Sequence, residues 1–193
     1  MGFGDCERSV RRAQETAVEL YQLAALMLGD EGEAASLVES TVADVNVDPC
    51  APEETAVERA RHHLVEAAVA RMSEADPAAF AAPAPVTGSG SCIEDDDLSA
   101  AGISAEQIAE LLNGAGSGIQ LRSWLDQLPG AQRAIFVQRA VLGWNNAATA
   151  TSLANGSATR PAWSAAQVSE TFRQALCSLA NSLVHAEAQR ATA

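Results

Sequence analysis

The chain has 193 residues and a formal net charge of −13, with no lysine among its 12 basic side chains. The length suits one ordinary domain or two small ones. A low aromatic content of 4% beside 48% apolar residues, many of them alanine, favours an all-α fold with modest helix–helix cores. No apolar run of about 18 residues is present, so we expect a cytoplasmic protein with no membrane-spanning segment and no membrane partner.

Residues 1–76 are predicted to form a first helical domain, because apolar side chains repeat there with helical spacing in three stretches. Gly29 is a plausible end for the first helix, and Asp30 is a plausible N-cap for the second. The second helix carries an apolar stripe over residues 34–45. The third is expected over about 52–72, where a proline suits its first turn.

Residues 77–120 differ in composition and are predicted to form a flexible acidic linker between two domains. The run PAAFAAPAPVTGSGS is rich in proline, alanine, glycine and serine, which is typical of linkers. The block Glu94-Asp95-Asp96-Asp97 follows, and such a run of like charges favours a solvated segment.

Residues 121–193 are predicted to form a second helical domain. Apolar periodicity and the breaks at Pro129-Gly130 and Gly143 predict four helices, over residues 121–128, 131–142, 145–154 and 164–184, with Ser164 as the N-cap of the last. A short helix, a break and a longer helix is the outline of a helix-turn-helix.

Charge is distributed unevenly along the chain. Residues 1–80 hold 16 acidic side chains and six arginines, net −10, and residues 81–120 hold six acidic side chains and no basic one, net −6. Residues 121–193 hold three acidic side chains and six arginines, net +3. The last third therefore remains open to an anionic partner although the whole chain is acidic.

Residue types that catalysis and metal binding use occur here without the spacing such sites need. There is no CxxC pair, no zinc-type histidine spacing, no Gly-rich phosphate loop, no GxSxG and no HExxH. We therefore expect no catalytic residue, no cofactor and no metal site, and a protein that is not an enzyme. The four cysteines, Cys6, Cys50, Cys92 and Cys177, are expected to be reduced thiols.

Several short motifs follow one another along the two helical segments. The first segment contains LYQLAALMLGD and AASLVESTV. The second contains Leu128-Pro129, Gln132-Arg133, Ile135-Phe136-Val137 and Gly143, and later the stretch WSAAQVSETFRQAL. In this order and spacing, over most of its length, the chain resembles the small two-domain bacterial sigma factors of the extracytoplasmic-function type.

The resemblance implies a role for each segment. In that family the first domain binds the RNA polymerase clamp and opens promoter DNA, and the second reads a promoter element through its helix-turn-helix. The stretch AASLVESTV resembles the clamp-binding helix, which makes Leu37, Val38, Glu39 and Val42 the candidate protein-interaction residues. The candidate contacts to DNA phosphates are Arg133, Arg139, Arg160 and Arg173.

The sequence departs from the family where DNA would be read. Between Ser164 and Leu179 the only basic side chain is Arg173, and Glu170 adds a carboxylate that repels phosphate. Base reading and phosphate anchoring both depend on arginine and lysine. The nine residues 155–163 also stand where a helix-turn-helix has a turn of about 3–4 residues. These features predict weakened DNA reading.

Three functions are compatible with these residues. The first is a sigma-like transcription regulator that acts mainly through protein contacts, with RNA polymerase core, an anti-sigma factor or another regulator as its partner. The second is a working sigma factor that directs polymerase to promoter DNA, which predicts that the C-terminal arginines converge on one face. The third is a sigma-derived structural or assembly subunit, which predicts an ordered linker and closely packed domains.

Overall fold

The structure is a computed structural model, and it describes residues 3–45, 53–83, 121–155 and 162–191. These residues form helices joined by turns, and no β-strand occurs among them. The predicted all-α fold class is therefore confirmed. The chain divides into two compact units, the first ending at Met72 and the second beginning at Ser73.

The first unit is built from α1 (Phe3–Leu28), α2 (Glu31–Val45) and most of α3 (Glu53–Ala75). Gly29 ends α1 in the left-handed region at φ 77°, which glycine adopts without steric cost. Asp30 then caps α2, because its Oδ1 accepts the backbone N–H of Glu33 at 2.8 Å. The predicted helix end and the predicted cap are both confirmed.

The core of the first unit is aliphatic. The side chains that α1, α2 and α3 bury are Leu20, Leu23, Ala24, Ala25, Met27, Ala34, Leu37, Val38, Ala60, Leu64, Val65, Ala68 and Val69. Their α2 members fall at i, i+3 and i+4, the spacing that turns one face of a helix toward its neighbours. Many of these residues are small, so the helices are held together by close packing of small and branched side chains rather than by aromatic rings.

The second unit contains α4 (Leu121–Leu125), α5 (Gly130–Phe136), α6 (Asn146–Asn155) and α7 (Ala165–Ala191). Between α5 and α6 the helix widens into a π-helical turn, Val137–Val141. The single helix predicted over 131–142 is thus two kinds of helix. Gly143 ends it at φ 67°, as predicted. Ser164 caps α7, and its Oγ accepts the backbone N–H of Gln167 at 3.2 Å.

The core of the second unit is aromatic where that of the first is aliphatic. The rings of Trp124 and Phe136 meet edge to face with centroids 5.0 Å apart. Phe136 also lies 6.0 Å from Phe172 on α7. Contacts of this geometry add to the burial of apolar area. They join α4, α5 and α7 around Val168, which is fully buried.

Residues 73–83 also belong to the second unit, although 77–83 were predicted to begin the linker. We call residues 76–83 the Phe80 segment. Asp76 starts its turn by accepting the backbone N–H of Ala79 at 3.1 Å. The ring of Phe80 is only 1% exposed and lies against Gly130, where a Cβ atom would meet it at 2.7 Å. The remainder of the predicted linker, residues 84–120, lies outside the described residues.

Candidate nucleic-acid interface

In the predicted helix-turn-helix, the start of α7 is the part whose side chains would meet base edges. Here those side chains are bonded to the protein. Ser164 and Gln167 form a reciprocal cap, in which the Ser164 N–H donates to Gln167 Oε1 at 2.9 Å. The same amide donates through Nε2 to the carbonyl oxygen of Pro83 at 2.7 Å. The first turn of α7 is therefore tied to the Phe80 segment.

Trp163 strengthens this attachment just before α7 begins. Its indole N–H donates to the carbonyl oxygen of Phe80 at 3.2 Å, and its ring is buried. Together with the Gln167 bond, this gives the Phe80 segment two hydrogen bonds to side chains at the start of α7. Phe80 is the residue of this region whose role the sequence did not indicate.

Arg173, the one basic side chain in the first half of α7, is held by Glu170. Its Nε donates to Oε2 at 3.0 Å and its Nη2 to Oε1 at 2.5 Å, a fork on a single carboxylate. The hydrogen bond from Arg173 lowers the pKa of Glu170 below its usual value, and a second one from Gln174 acts in the same direction. The carboxylate thus stays ionised beside the guanidinium and neutralises it.

Arg139 lies in the π-helical turn and stabilises the core. Its Nη1 donates to the carbonyl oxygen of Trp144 at 2.8 Å, just past the end of the turn. Its guanidinium carbon lies 5.0 Å from the centroid of the Phe172 ring, within cation–π range. The side chain therefore links the π-helical turn to α7 and points its charge at the protein.

Arg133 on α5 is largely buried. Its side chain is 11% exposed, and Nη1 lies 3.3 Å from Oδ1 of Asp126. Burial lowers the pKa of Arg133, and the charge of Asp126 opposes that shift. Arg160, the fourth candidate, lies outside the described residues. The three described candidates all make contacts inside the second unit.

The four candidate residues for protein contact divide into two pairs on α2. Leu37 and Val38 are buried in the core of the first unit, where the apolar stripe of the helix faces α1 and α3. Glu39 is exposed, and Val42 is 45% exposed, an unusual value for a large apolar side chain. The predicted surface is thereby reduced to Glu39 and Val42, one turn apart on the outer face of α2.

The structure also bears on the cysteines, on metal-binding clusters and on membrane-spanning helices. Cys177 is disulfide-bonded, which corrects the expectation of a reduced thiol there. Within the described ranges, no group of three or more His, Cys, Asp or Glu side chains is arranged to hold a metal ion. Across those same ranges, no helix combines the length and the apolar character needed to cross a membrane.

Comparison with known proteins yields no match, whether to a protein-family model, to a curated protein or to a solved structure. The resemblance to sigma factors therefore depends on the sequence motifs alone.

Proposed function

We propose that this chain is a sigma-like transcription regulator that acts mainly through protein contacts and reads DNA weakly. One observation carries the proposal. Arg133, Arg139 and Arg173, the described candidates for phosphate contact, each make a contact within the second unit. Side chains engaged in this way are poor phosphate anchors, and phosphate contacts supply much of the affinity of DNA-binding proteins.

The cost of recruiting these arginines to DNA differs among them. Separating Arg173 from the partly exposed Glu170 would cost only about 0.2–1 kcal/mol of folding stability. Arg139 is more expensive, because a hydrogen bond from a charged donor is worth about 1.5–3 kcal/mol and its cation–π contact would be lost as well. Arg133 would have to leave a largely buried position. DNA binding therefore competes with the stability of the unit itself.

The start of α7 supports the same conclusion. Gln167 is an amide of the kind that reads adenine in other helix-turn-helix proteins. Here its Oε1 and Nε2 are bonded to Ser164 and to Pro83. Reading a base with Gln167 would require both bonds to break.

Glu39 and Val42 on α2 are the surface that we assign to a protein partner. The first 80 residues carry a net charge of −10, so a partner with a basic rim around an apolar contact would be favoured. RNA polymerase core, an anti-sigma factor and another regulator are the partner classes that the sigma-like motifs suggest, and polymerase core is the one to test first.

The deciding experiment measures binding of the full chain to promoter DNA, with and without polymerase core, between about 50 and about 200 mM salt. We expect binding to polymerase core and little DNA binding at any salt. Promoter-specific binding that requires polymerase and weakens steeply with salt would favour the alternative, a working sigma factor, for which the net charge of +3 over residues 121–193 is the supporting observation.

A matched pair of variants tests the protein surface. Val42→Asp places a charge on the proposed contact, whereas Val18→Asp places one on α1 at a valine that is 55% exposed. Both substitutions fall on exposed positions, so both proteins should fold. We expect Val42→Asp to weaken polymerase binding at least tenfold, which is about 1.4 kcal/mol, and Val18→Asp to leave it unchanged. Equal effects would argue against the α2 surface.

A further inference from the structure

Three polar side chains in the second unit are buried without a hydrogen-bond partner. They are Gln138 and Thr149, both 0% exposed, and Ser152, which is 4% exposed. Both amide atoms of Gln138 and both hydroxyl oxygens are unpaired within the described part of the chain. Buried polar groups in folded proteins nearly always have a partner, either protein or ordered water. These four atoms therefore call for an explanation.

The two hydroxyls differ from three others that lie on helices of this protein. Thr41, Thr151 and Ser182 each donate to the carbonyl oxygen one turn earlier, at 2.8, 3.0 and 2.9 Å. A buried hydroxyl satisfies itself in this way when nothing else is within reach. Thr149 and Ser152 do not make this bond, so their hydroxyl groups remain able to bond to something other than their own helix.

The positions of the three residues bring them to one region of the unit. Thr149 and Ser152 lie one turn apart on the buried face of α6. Gln138 lies in the π-helical turn, which packs against α6. The backbone of Gln138 is satisfied, since its carbonyl accepts the N–H of Trp144 at 3.0 Å. Its side-chain amide is the part without a partner. π-Helical turns inside helices often mark a site with a specific role.

The chemistry of these groups selects a small neutral ligand. The amide and the two hydroxyls offer four polar hydrogens and three acceptor oxygens, and none of the three side chains carries a formal charge. Water matches this set, because buried waters typically make about three hydrogen bonds to polar groups that otherwise have no partner. We propose that the π-helical turn and α6 enclose ordered water, which bridges the amide of Gln138 to the hydroxyls of Thr149 and Ser152. The inference is independent of the proposed function.

The first test uses the unaltered protein. In the isotope-labelled full chain, we expect the side-chain amide protons of Gln138 to give nuclear Overhauser cross-peaks to water with the sign of a long-lived complex. Direct bonding of Gln138 to Thr149 or Ser152, with no water cross-peak at the amide, would overturn the proposal. This measurement depends on no substitution, so it stands even where a variant fails to fold.

A matched pair of variants on α6 gives a second test. Thr149→Val removes a hydroxyl that the proposal assigns to water, and Thr151→Val removes an exposed hydroxyl that bonds to Ala147. We expect Thr149→Val to lower the Tm by several degrees and weaken the water cross-peak at Gln138, and Thr151→Val to change neither by much. In a dry site the first substitution would remove an unpaired buried group and raise the Tm, which would contradict the proposal.

Discussion

The two candidate surfaces of this protein use their side chains in opposite ways. On α2 of the first unit, the buried positions are apolar apart from Thr41, whose hydroxyl bonds within the helix, and Glu39 and Val42 face outward. At the start of α7 in the second unit, the polar side chains bond to the protein, and Arg173 is held by Glu170. The α2 surface therefore remains open to a partner, whereas the polar groups that would bind nucleic acid on α7 are already bonded to the protein.

The cores of the two units also differ in the kinds of side chain that they bury. The first unit is packed with aliphatic and small side chains, and the second with aromatic rings that touch polar partners at their edges. In the second unit, Trp163 and Arg139 each combine an aromatic contact or burial with a hydrogen bond to the backbone. Polar groups of the second unit that could bind a ligand thus stabilise its fold. Substitutions at Phe80, Arg139 and Glu170 test this conclusion.

The largest effect should follow from removing the ring of Phe80. Phe80→Ala empties a fully buried site against Gly130 and loosens the segment bonded to Trp163 and Gln167. We expect a loss of about 3–5 kcal/mol in the free energy of unfolding, as for other buried phenylalanines. Urea unfolding followed by tryptophan fluorescence would measure it, because Trp124, Trp144 and Trp163 all lie in the second unit.

Phe80→Leu is the matched control, since it keeps most of the apolar volume and should cost much less. If Phe80→Ala left the unfolding midpoint unchanged, the Phe80 segment would not be part of the second unit in solution. The contrast between a start of α7 tied to the protein and an open α2 surface would then be lost.

An intermediate effect should follow from substituting Arg139. Arg139→Met removes the hydrogen bond to Trp144 and the contact with Phe172 while keeping an unbranched side chain. We expect a loss of about 2–4 kcal/mol in urea unfolding, from a charged hydrogen bond and a cation–π contact combined. Arg139→Lys should cost less, because it keeps a charge over the ring.

A different outcome would reassign Arg139. Were it a phosphate contact instead, Arg139→Met would leave stability nearly unchanged and would weaken DNA binding uniformly, lowering the salt slope by about one. Stability and salt slope measured on the same variant therefore distinguish a structural arginine from a DNA-binding one.

Local chemistry made part of this structure predictable. Gly29, Asp30 and Ser164 mark helix ends because a left-handed glycine and a short polar cap act within one turn of the chain. The helices followed from apolar periodicity for the same reason. The all-α class and the positions of most helices could therefore be predicted from sequence alone.

What could not be predicted depends on contacts between distant residues. The π-helical turn at 137–141 carries no local sequence signal that separates it from an ordinary helix. From the sequence, Phe80 belongs to a Pro/Ala-rich linker. Its role in the core depends on contact with Trp163, which lies 83 residues further along the chain. Glu170 was recognised as a carboxylate that repels phosphate. Its pair with Arg173, by contrast, is a local contact that the i,i+3 spacing on a helix indicates and that the sequence analysis missed.

The smallest effect, and the most direct link between stability and function, should come from Glu170→Gln. The pair with Arg173 is partly exposed, so we expect the loss at neutral pH to be about 0.2–1 kcal/mol. Because the pKa of Glu170 is lowered in the folded protein, the pair stabilises the fold above the unfolded value of about 4.3 and loses that effect as pH falls through the folded value. Urea midpoints of the two proteins should therefore differ at pH 7 and converge in acid.

The same variant releases Arg173 and removes a repelling charge, so it should also strengthen DNA binding at low salt. A midpoint difference that persisted in acid would mean that the pair does not stabilise the fold, and unchanged DNA binding would mean that Glu170 is not what keeps Arg173 from phosphate.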